Sequence, residues 1–216
     1  DPNTVYSSID TMGRYAFGNQ PGILYWNMAR FAECLLPLIH TDMKKAVEKV
    51  GPVIEAFPHR FEKAYMKMMG KKLGLKSITS EDQNLVTSVL NQFKNRKLDY
   101  TITFHLLTKS LTSEAVERQI QKELGDCFDL WKKRLGEQGE APEKVQKIMR
   151  QQNPVVIPRN HHIEKVLQEC EQTNKSTLAE DFLQVLRSPY KEQAETFEYQ
   201  DPPKDGDENY QTFCGT

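Results

Sequence analysis

Cysteine is scarce in this chain of 216 residues, and the four cysteines present stand far apart. They are Cys34, Cys127, Cys170 and Cys214, with no Cys-x-x-Cys pair among them. A disulfide framework and a structural zinc site both need closer or more regular spacing. The cysteine pattern is therefore more typical of a reducing compartment than of a secreted protein.

The chain also lacks a charge surplus and a long apolar run. Lysine and arginine total 29 against 30 acidic residues, which gives a net charge of −1, and no basic stripe stands out. This composition argues against a nucleic-acid partner or an anionic membrane surface. The longest strongly apolar stretch, near residues 31–39, is too short to cross a bilayer. We therefore expect no nucleic-acid partner and no membrane.

Sequence motifs that hold nucleotides or metals are missing as well. The chain has no Gly-rich phosphate loop, no Val-Ala-Ile-Lys, no His-Arg-Asp and no Asp-Phe-Gly. His161 and His162 form its one histidine pair, but adjacent helical side chains point about 100° apart and rarely bind one metal. We therefore predict no metal site and no catalytic residue within the chain itself.

What the sequence does contain is helical periodicity. Residues 1–20 show none and are predicted to form an ordered loop, after which Pro21 suits the first turn of a helix that runs to about Leu38. The apolar residues of this helix are too dense for one stripe, which predicts burial nearly all round. Asn27 and Arg30 would then be buried polar groups that need partners.

Further amphipathic helices are predicted along the rest of the chain. Thr41 and the box beginning at Ser80 are the expected N-caps of two of them. Residues 100–107 fit either a strand or a buried helix, and periodicity does not decide between them. We predict an all-α fold in three parts: a loop at 1–20, a helical domain at 21–187, and an acidic tail at 188–216, on the surface or disordered.

Several motifs together resemble one family, the selenoprotein O (SelO, or YdiU) protein adenylyltransferases. The order begins with Gly-Arg-Tyr-x3-Asn-Gln-Pro-x4-Trp-Asn-x2-Arg at 13–30. It continues with Lys-Leu-Gly-Leu at 72–75, Leu-Asp-Tyr-Thr-Ile-Thr-Phe-His-Leu-Leu at 98–107, Asn-Pro-x4-Arg-Asn at 153–160 and Arg-Ser-Pro-Tyr at 187–190. Jointly these stretches are specific, although each alone would be weak.

The resemblance implies a kinase-like fold that transfers AMP from ATP to Ser, Thr or Tyr hydroxyls of proteins, with Mg²⁺ or Mn²⁺. This chain would be the later part of the C-lobe, inactive alone because the nucleotide- and metal-binding parts lie upstream. Its expected partners are that missing N-terminal and catalytic part and the protein substrates. The expected compartment is the bacterial cytoplasm, or the mitochondrion in a eukaryote.

The resemblance also assigns expected roles to particular residues. The first four, Arg14, Tyr15, Asn19 and Gln20, would form the floor under an acceptor peptide or the activation segment. Asn27 and Arg30 would brace the catalytic loop, and Cys214 would be a redox-active thiol. From the residues alone, a salt bridge that pins the loop is favoured for Arg14 over a clamp on phosphate or carboxylate. The alternative function is a non-catalytic helical interaction module.

Overall fold

The computed structural model describes residues 1–203, and within them the all-α prediction is confirmed: helices are present and strands are not. The helices are α1 Gln20–Ile39, α2 Met43–Glu55, α3 Phe57–Lys72, α4 Asp82–Asn95, α5 Tyr100–Ser110, α6 Glu114–Leu124, α7 Asp126–Gly136, α8 Pro142–Arg150, α9 Asn160–Thr173, α10 Thr177–Leu186 and α11 Ala194–Phe197. Residues 100–107, ambiguous in the sequence, belong to α5. In this part of the chain no helix is long and apolar enough to cross a membrane.

The chain divides into two compact units, and the boundary falls after Met66, within α3. The first unit holds the N-terminal loop, α1, α2 and the first ten residues of α3. α1 packs against α2, and Tyr25 of α1 stacks on Phe57, with ring centroids 6.1 Å apart. Phe57, Phe61 and Tyr65 continue this row of rings, because residues four apart share one face of a helix.

The prediction that α1 is buried nearly all round is wrong. Leu36 is its one buried residue, while Phe31 and Leu38 are 66% and 83% exposed. Asn27 and Arg30, expected to be buried, are exposed too. An apolar sequence makes burial favourable, but burial also needs a covering surface, and the first unit covers only part of this helix.

The second unit, from Lys67 onward, is built around a core of large side chains from α4 to α8. Trp131 is 1% exposed, and its indole N–H donates to the Leu73 carbonyl at 2.8 Å. Gly74 lies beside it with φ +75°, and a Cβ there would come within 2.4 Å of Val145. The glycine of the Lys-Leu-Gly-Leu motif is therefore required both by its backbone conformation and by the packing of α8.

A second core in the same unit lies between α9 and α10. It comprises Val155, Val156, Val166, Phe182, Val185 and Tyr199. Tyr199 comes from the segment that the sequence assigned to the acidic tail. Residues 188–203 thus include the short helix α11, with Thr196 and Tyr199 buried.

Both N-cap positions lie one residue beyond the predicted ones. Asp42, not Thr41, caps α2 by accepting a hydrogen bond from the Lys44 N–H at 2.9 Å. α4 begins at Asp82 without a capping bond from Ser80, and the Asp82 carboxylate instead accepts from the Thr79 N–H at 2.7 Å. At α2 a carboxylate takes the capping position in preference to a nearby hydroxyl, because its charge strengthens the bond to an N–H group. At α4 the N-cap residue is Glu81, which makes no side-chain capping bond, and the Asp82 carboxylate binds the turn that precedes the helix.

Candidate functional site

The Gly-Arg-Tyr segment is held by one carboxylate. Asp10 accepts hydrogen bonds from the backbone N–H groups of Arg14 and Tyr15, each at 2.8 Å. Gly13 precedes them with φ +65°, a conformation that glycine adopts without strain. The loop is thereby fixed in a shape that leaves the side chains of Arg14 and Tyr15 exposed.

Asn19 and Gln20 fasten the same loop from the start of α1. The Asn19 amide donates to the Gly13 carbonyl at 2.8 Å, and the Gln20 amide donates to the Tyr15 carbonyl. Both side-chain amides therefore donate their hydrogen bonds to backbone carbonyls of the loop. Of the four residues predicted as a floor, Arg14 and Tyr15 have exposed side chains, while Asn19 and Gln20 hydrogen-bond to the backbone of the loop.

Two guanidinium groups lie against the ring of Trp26 on the exposed surface of α1. Arg14 lies 4.9 Å from the Trp26 ring centroid and Arg30 lies 5.8 Å from it. Arg30 also pairs with Glu33 at 2.6 Å, whereas no carboxylate in residues 1–203 pairs with the Arg14 side chain. The salt bridge weighed for Arg14 is thus replaced by cation–π contacts, each worth about 0.5–1 kcal/mol at an exposed site.

In the second unit, the motif stretches that lie far apart in the sequence meet in space. Asn153, fully buried, donates from its amide to the Lys72 carbonyl at 2.8 Å and to the Thr108 hydroxyl at 3.1 Å. Asp99 of the stretch at 98–107 binds Arg159 of the stretch at 153–160 through a pair of bonds at 2.8 and 3.0 Å. The stretches at 72–75, 98–107 and 153–160 therefore form one connected structure.

Lys72 has an unusual environment at this junction. Its ammonium group donates to the Gln152 carbonyl at 3.2 Å and lies 4.6 Å from the Phe104 ring centroid. The residue is 7% exposed, and burial lowers the pKa of its ammonium group to about 8. The Gln152 carbonyl and the face of the Phe104 ring stabilise the buried ammonium charge, so Lys72 stays protonated at neutral pH.

A charged cluster lies between α5, α8 and the segment after α10. Glu192 accepts a hydrogen bond from Lys109 at 2.6 Å, and it lies 3.8 Å from His105 and 3.7 Å from Arg150. Arg150 donates to His105 Nδ1 at 2.8 Å, which requires the neutral ring with its proton on Nε2. Burial, and then the Arg150 charge, lower the pKa of His105 to about 4.

The described residues do not supply a metal site. No group of three His, Cys, Asp or Glu side chains in residues 1–203 is arranged to hold an ion. His161 and His162 have rings 4.0 Å apart, and His162 packs against Tyr199. The described residues therefore do not fit the metal ion that the resemblance implies. Cys214 lies outside the described residues, and Cys34, Cys127 and Cys170 carry free thiols.

Sequence reasoning missed the residues that join the motifs. The motif stretches include Asn153, Asp99 and Arg159. The motifs alone do not predict that these side chains join the stretches to one another. A usable signal existed for Asp99, which precedes a helix and sits in an N-cap position. Nothing in the sequence marks Glu192, because its two cationic neighbours and His105 come from two helices that are distant in the chain.

Comparisons with known proteins agree with the motif pattern. The family model for the protein adenylyltransferase SelO matches residues 1–187. The protein nucleotidyltransferases YdiU of Teredinibacter turnerae and Anoxybacillus flavithermus are each 44% identical over 216 residues, and that of Pseudoalteromonas translucida is 42% identical. All of this chain aligns with each relative, but it spans only 44% of each relative's length. The chain therefore belongs to the SelO family of protein adenylyltransferases.

Proposed function

We propose that this chain is part of a protein adenylyltransferase that moves AMP from ATP to Ser, Thr or Tyr hydroxyls of proteins. Family membership over residues 1–187 and relatives called protein nucleotidyltransferases support the transfer of a nucleotide. The observation that carries the role of this chain is the fixed loop that displays Arg14 and Tyr15 beside Trp26. A loop pinned by Asp10, Asn19 and Gln20 presents its side chains without a large ordering cost on binding.

In this proposal the loop serves the acceptor protein rather than the nucleotide. Arg14 has its guanidinium group against an indole face, so its donors remain available to an acidic or phosphorylated partner group. The nucleotide, the metal and the groups that stabilise charge on the reacting phosphorus belong to the remaining length of the polypeptide. The isolated chain would then be inactive, in a reducing compartment such as the bacterial cytoplasm.

We also propose that the exposed apolar surface of α1 and α2 binds that remaining length. A cavity of about 380 Å³ between these helices is lined mainly by apolar side chains, among them Met28, Phe31, Leu35 and Val53. Phe31 and Val53 remain 66% and 57% exposed. Contiguous exposed apolar surface marks an interaction site. The occupant we assign is the other part of the same protein, because the chain covers 44% of the length of its relatives.

The test is the intact mass of protein after incubation with ATP and either Mg²⁺ or Mn²⁺. Three samples are compared: this chain, the longer polypeptide that contains it, and the full-length relative from Teredinibacter turnerae. We expect an added AMP in the two longer proteins and none in this chain. AMP on this chain alone would place catalytic groups within it, and no AMP on the longer polypeptide would favour a non-catalytic interaction module.

The role of Arg14 is tested in the longer polypeptide. R14Q should lower AMP incorporation into protein acceptors by about tenfold while leaving ATP binding unchanged, because a lost charge-assisted contact costs about 1.4 kcal/mol or more. The matched control is R60Q, which removes another exposed arginine of the first unit. Equal activity of R14Q and R60Q would remove Arg14 from the acceptor surface.

A further inference from the structure

Residues 188–200, which we call the C-terminal strap, cross the second unit after α10. The Pro189 carbonyl accepts a hydrogen bond from the Val155 N–H at 2.7 Å, which fixes the beginning of the strap. Its helix, α11, has four residues and is closed by reciprocal bonds between Gln193 and Thr196. A helix this short is not stable in water by itself, so the strap depends on its contacts with the rest of the unit.

The first fastening of the strap is ionic. Glu192 meets Lys109 and His105 of α5 and Arg150 of α8, at 2.6, 3.8 and 3.7 Å. Although burial raises it, the pKa of Glu192 is lowered overall by the hydrogen bond from Lys109 and by the nearby cations. The carboxylate is therefore ionised at neutral pH, and its departure would leave three cationic or basic groups facing one another.

The second fastening is aromatic. Tyr199, 5% exposed, packs its ring 4.6 Å from Phe182 and 5.3 Å from His162, measured between centroids. It completes the core that Val155, Val156 and Val166 share with α10. Lifting the strap would uncover this apolar surface.

The ionic fastening is the one open to solvent. A polar cavity of about 460 Å³ adjoins Lys109, Arg150 and Glu192, and the Lys109 and Glu192 side chains are 36% and 27% exposed. Water and salt ions reach this cluster, so its attraction weakens as ionic strength rises. Tyr199, in contrast, is only 5% exposed and packs within an apolar core.

We propose that the C-terminal strap changes conformation by opening as a unit from the surface of α9 and α10. The ionic contacts of Glu192 hold the strap in its closed position. Segments with few buried contacts open locally at free energies well below that of global unfolding. Opening exposes the apolar face that Tyr199 covers and leaves the helices of the larger core in place.

The experiment is amide hydrogen exchange on the full chain, read at single residues by NMR. The reporters are the Thr196 and Tyr199 amides, which donate within the strap, and the amides of α4 and α7, which report on the main core. E192Q should speed exchange of the strap amides by about tenfold and leave the core amides unchanged. The matched control is E195Q, an exposed strap glutamate that makes no ion pair with any residue of the described chain.

Salt and a second variant complete the test. Raising NaCl from 0.05 to 0.5 M should speed strap exchange in the parent protein and have little effect in E192Q. K109M should reproduce E192Q, and the double variant should add little to either, because both remove the same bond. Strap exchange in E192Q equal to that in E195Q would overturn the proposal, as would equal acceleration of strap and core amides.

Discussion

At the scale of single residues, Asn153 links separate segments of the second unit. It is fully buried, and its amide joins the end of α3 to α5 by binding the Lys72 carbonyl and the Thr108 hydroxyl. A buried carbonyl or hydroxyl that loses its donor has no water to replace it. This one side chain therefore connects three segments that the helices alone would leave unlinked.

We predict that N153A lowers the free energy of unfolding by about 2 kcal/mol, because two buried hydrogen bonds are lost and a small cavity forms. The measurement is urea unfolding followed by Trp131 fluorescence, in a W26F background so that one tryptophan reports. The control is N91A, which removes an exposed asparagine of α4. A loss below about 0.5 kcal/mol for N153A would show that these bonds do not hold the segments together.

At the scale of elements, Asp99 shows how one residue starts a helix and joins it to another. Its carboxylate accepts from the Ile102 N–H at 2.9 Å, which caps α5, and it receives both bonds from Arg159. Burial opposes ionisation of Asp99, but the Arg159 and Ile102 donors outweigh it and hold the pKa below its usual range. The Arg159 side chain is 9% exposed, so it needs this partner.

We predict that D99A destabilises the protein by about 3 kcal/mol, since it removes a cap and leaves a buried arginine unpaired. D99N, which keeps a capping oxygen but loses the charge, should fall between D99A and the parent. A double-mutant cycle with R159M measures the coupling, and D99A should cost much less in the R159M background. Additive losses would mean that the pair acts as two separate contacts.

The sequence pattern predicted most of the helices, but it predicted less well which of their side chains are buried. The periodic segments became helices because apolar residues recur at helical spacing, and Pro21 stands in the first turn of α1 as expected. The segment 100–107 was undecided, because its apolar run is too short for periodicity to separate strand from helix. The Asp99 cap and the contacts of α5 with α6 and α8 decide it.

At the scale of the whole molecule, two buried histidines contribute to the response to acid. Burial lowers the pKa of His105 to about 4, with Arg150, Lys109 and Glu192 as its charged neighbours. Burial also lowers the pKa of His162, whose charged or titratable neighbours are His161, Lys165, Arg159 and Glu198. The unfolded chain takes up these protons near pH 6.5, so stability is lost as pH falls from about 6.5 toward 4.

We predict that H162F reduces this loss, because phenylalanine keeps the ring contacts with Phe182 and Tyr199 but takes up no proton. The measurement is the urea midpoint at pH 7 and pH 5, read by Trp131 in the W26F background. The fall between the two pH values should be smaller in H162F than in the parent, while H59Q, at an exposed histidine, should match the parent. An unchanged fall in H162F would assign the acid sensitivity to other groups.

The sequence by itself determined the helical class, most of the helices and the family, because these follow from local periodicity, from Pro and Gly positions and from motifs that are contiguous in the chain. It also placed Arg14, Tyr15, Asn19 and Gln20 close to one another, since they lie within seven residues of the chain, although Gln20 already belongs to α1.

Tertiary structure alone decided which side chains are buried and which distant groups meet. The exposed face of α1, the Asn153 and Asp99–Arg159 links, and the Glu192 cluster all depend on surfaces brought together by folding. Burial and ion pairing are properties of the space around a side chain, and that space is supplied by residues tens of positions away. The physical reason is that hydrophobic and electrostatic free energies depend on distance in three dimensions, whereas a pattern records only distance along the chain.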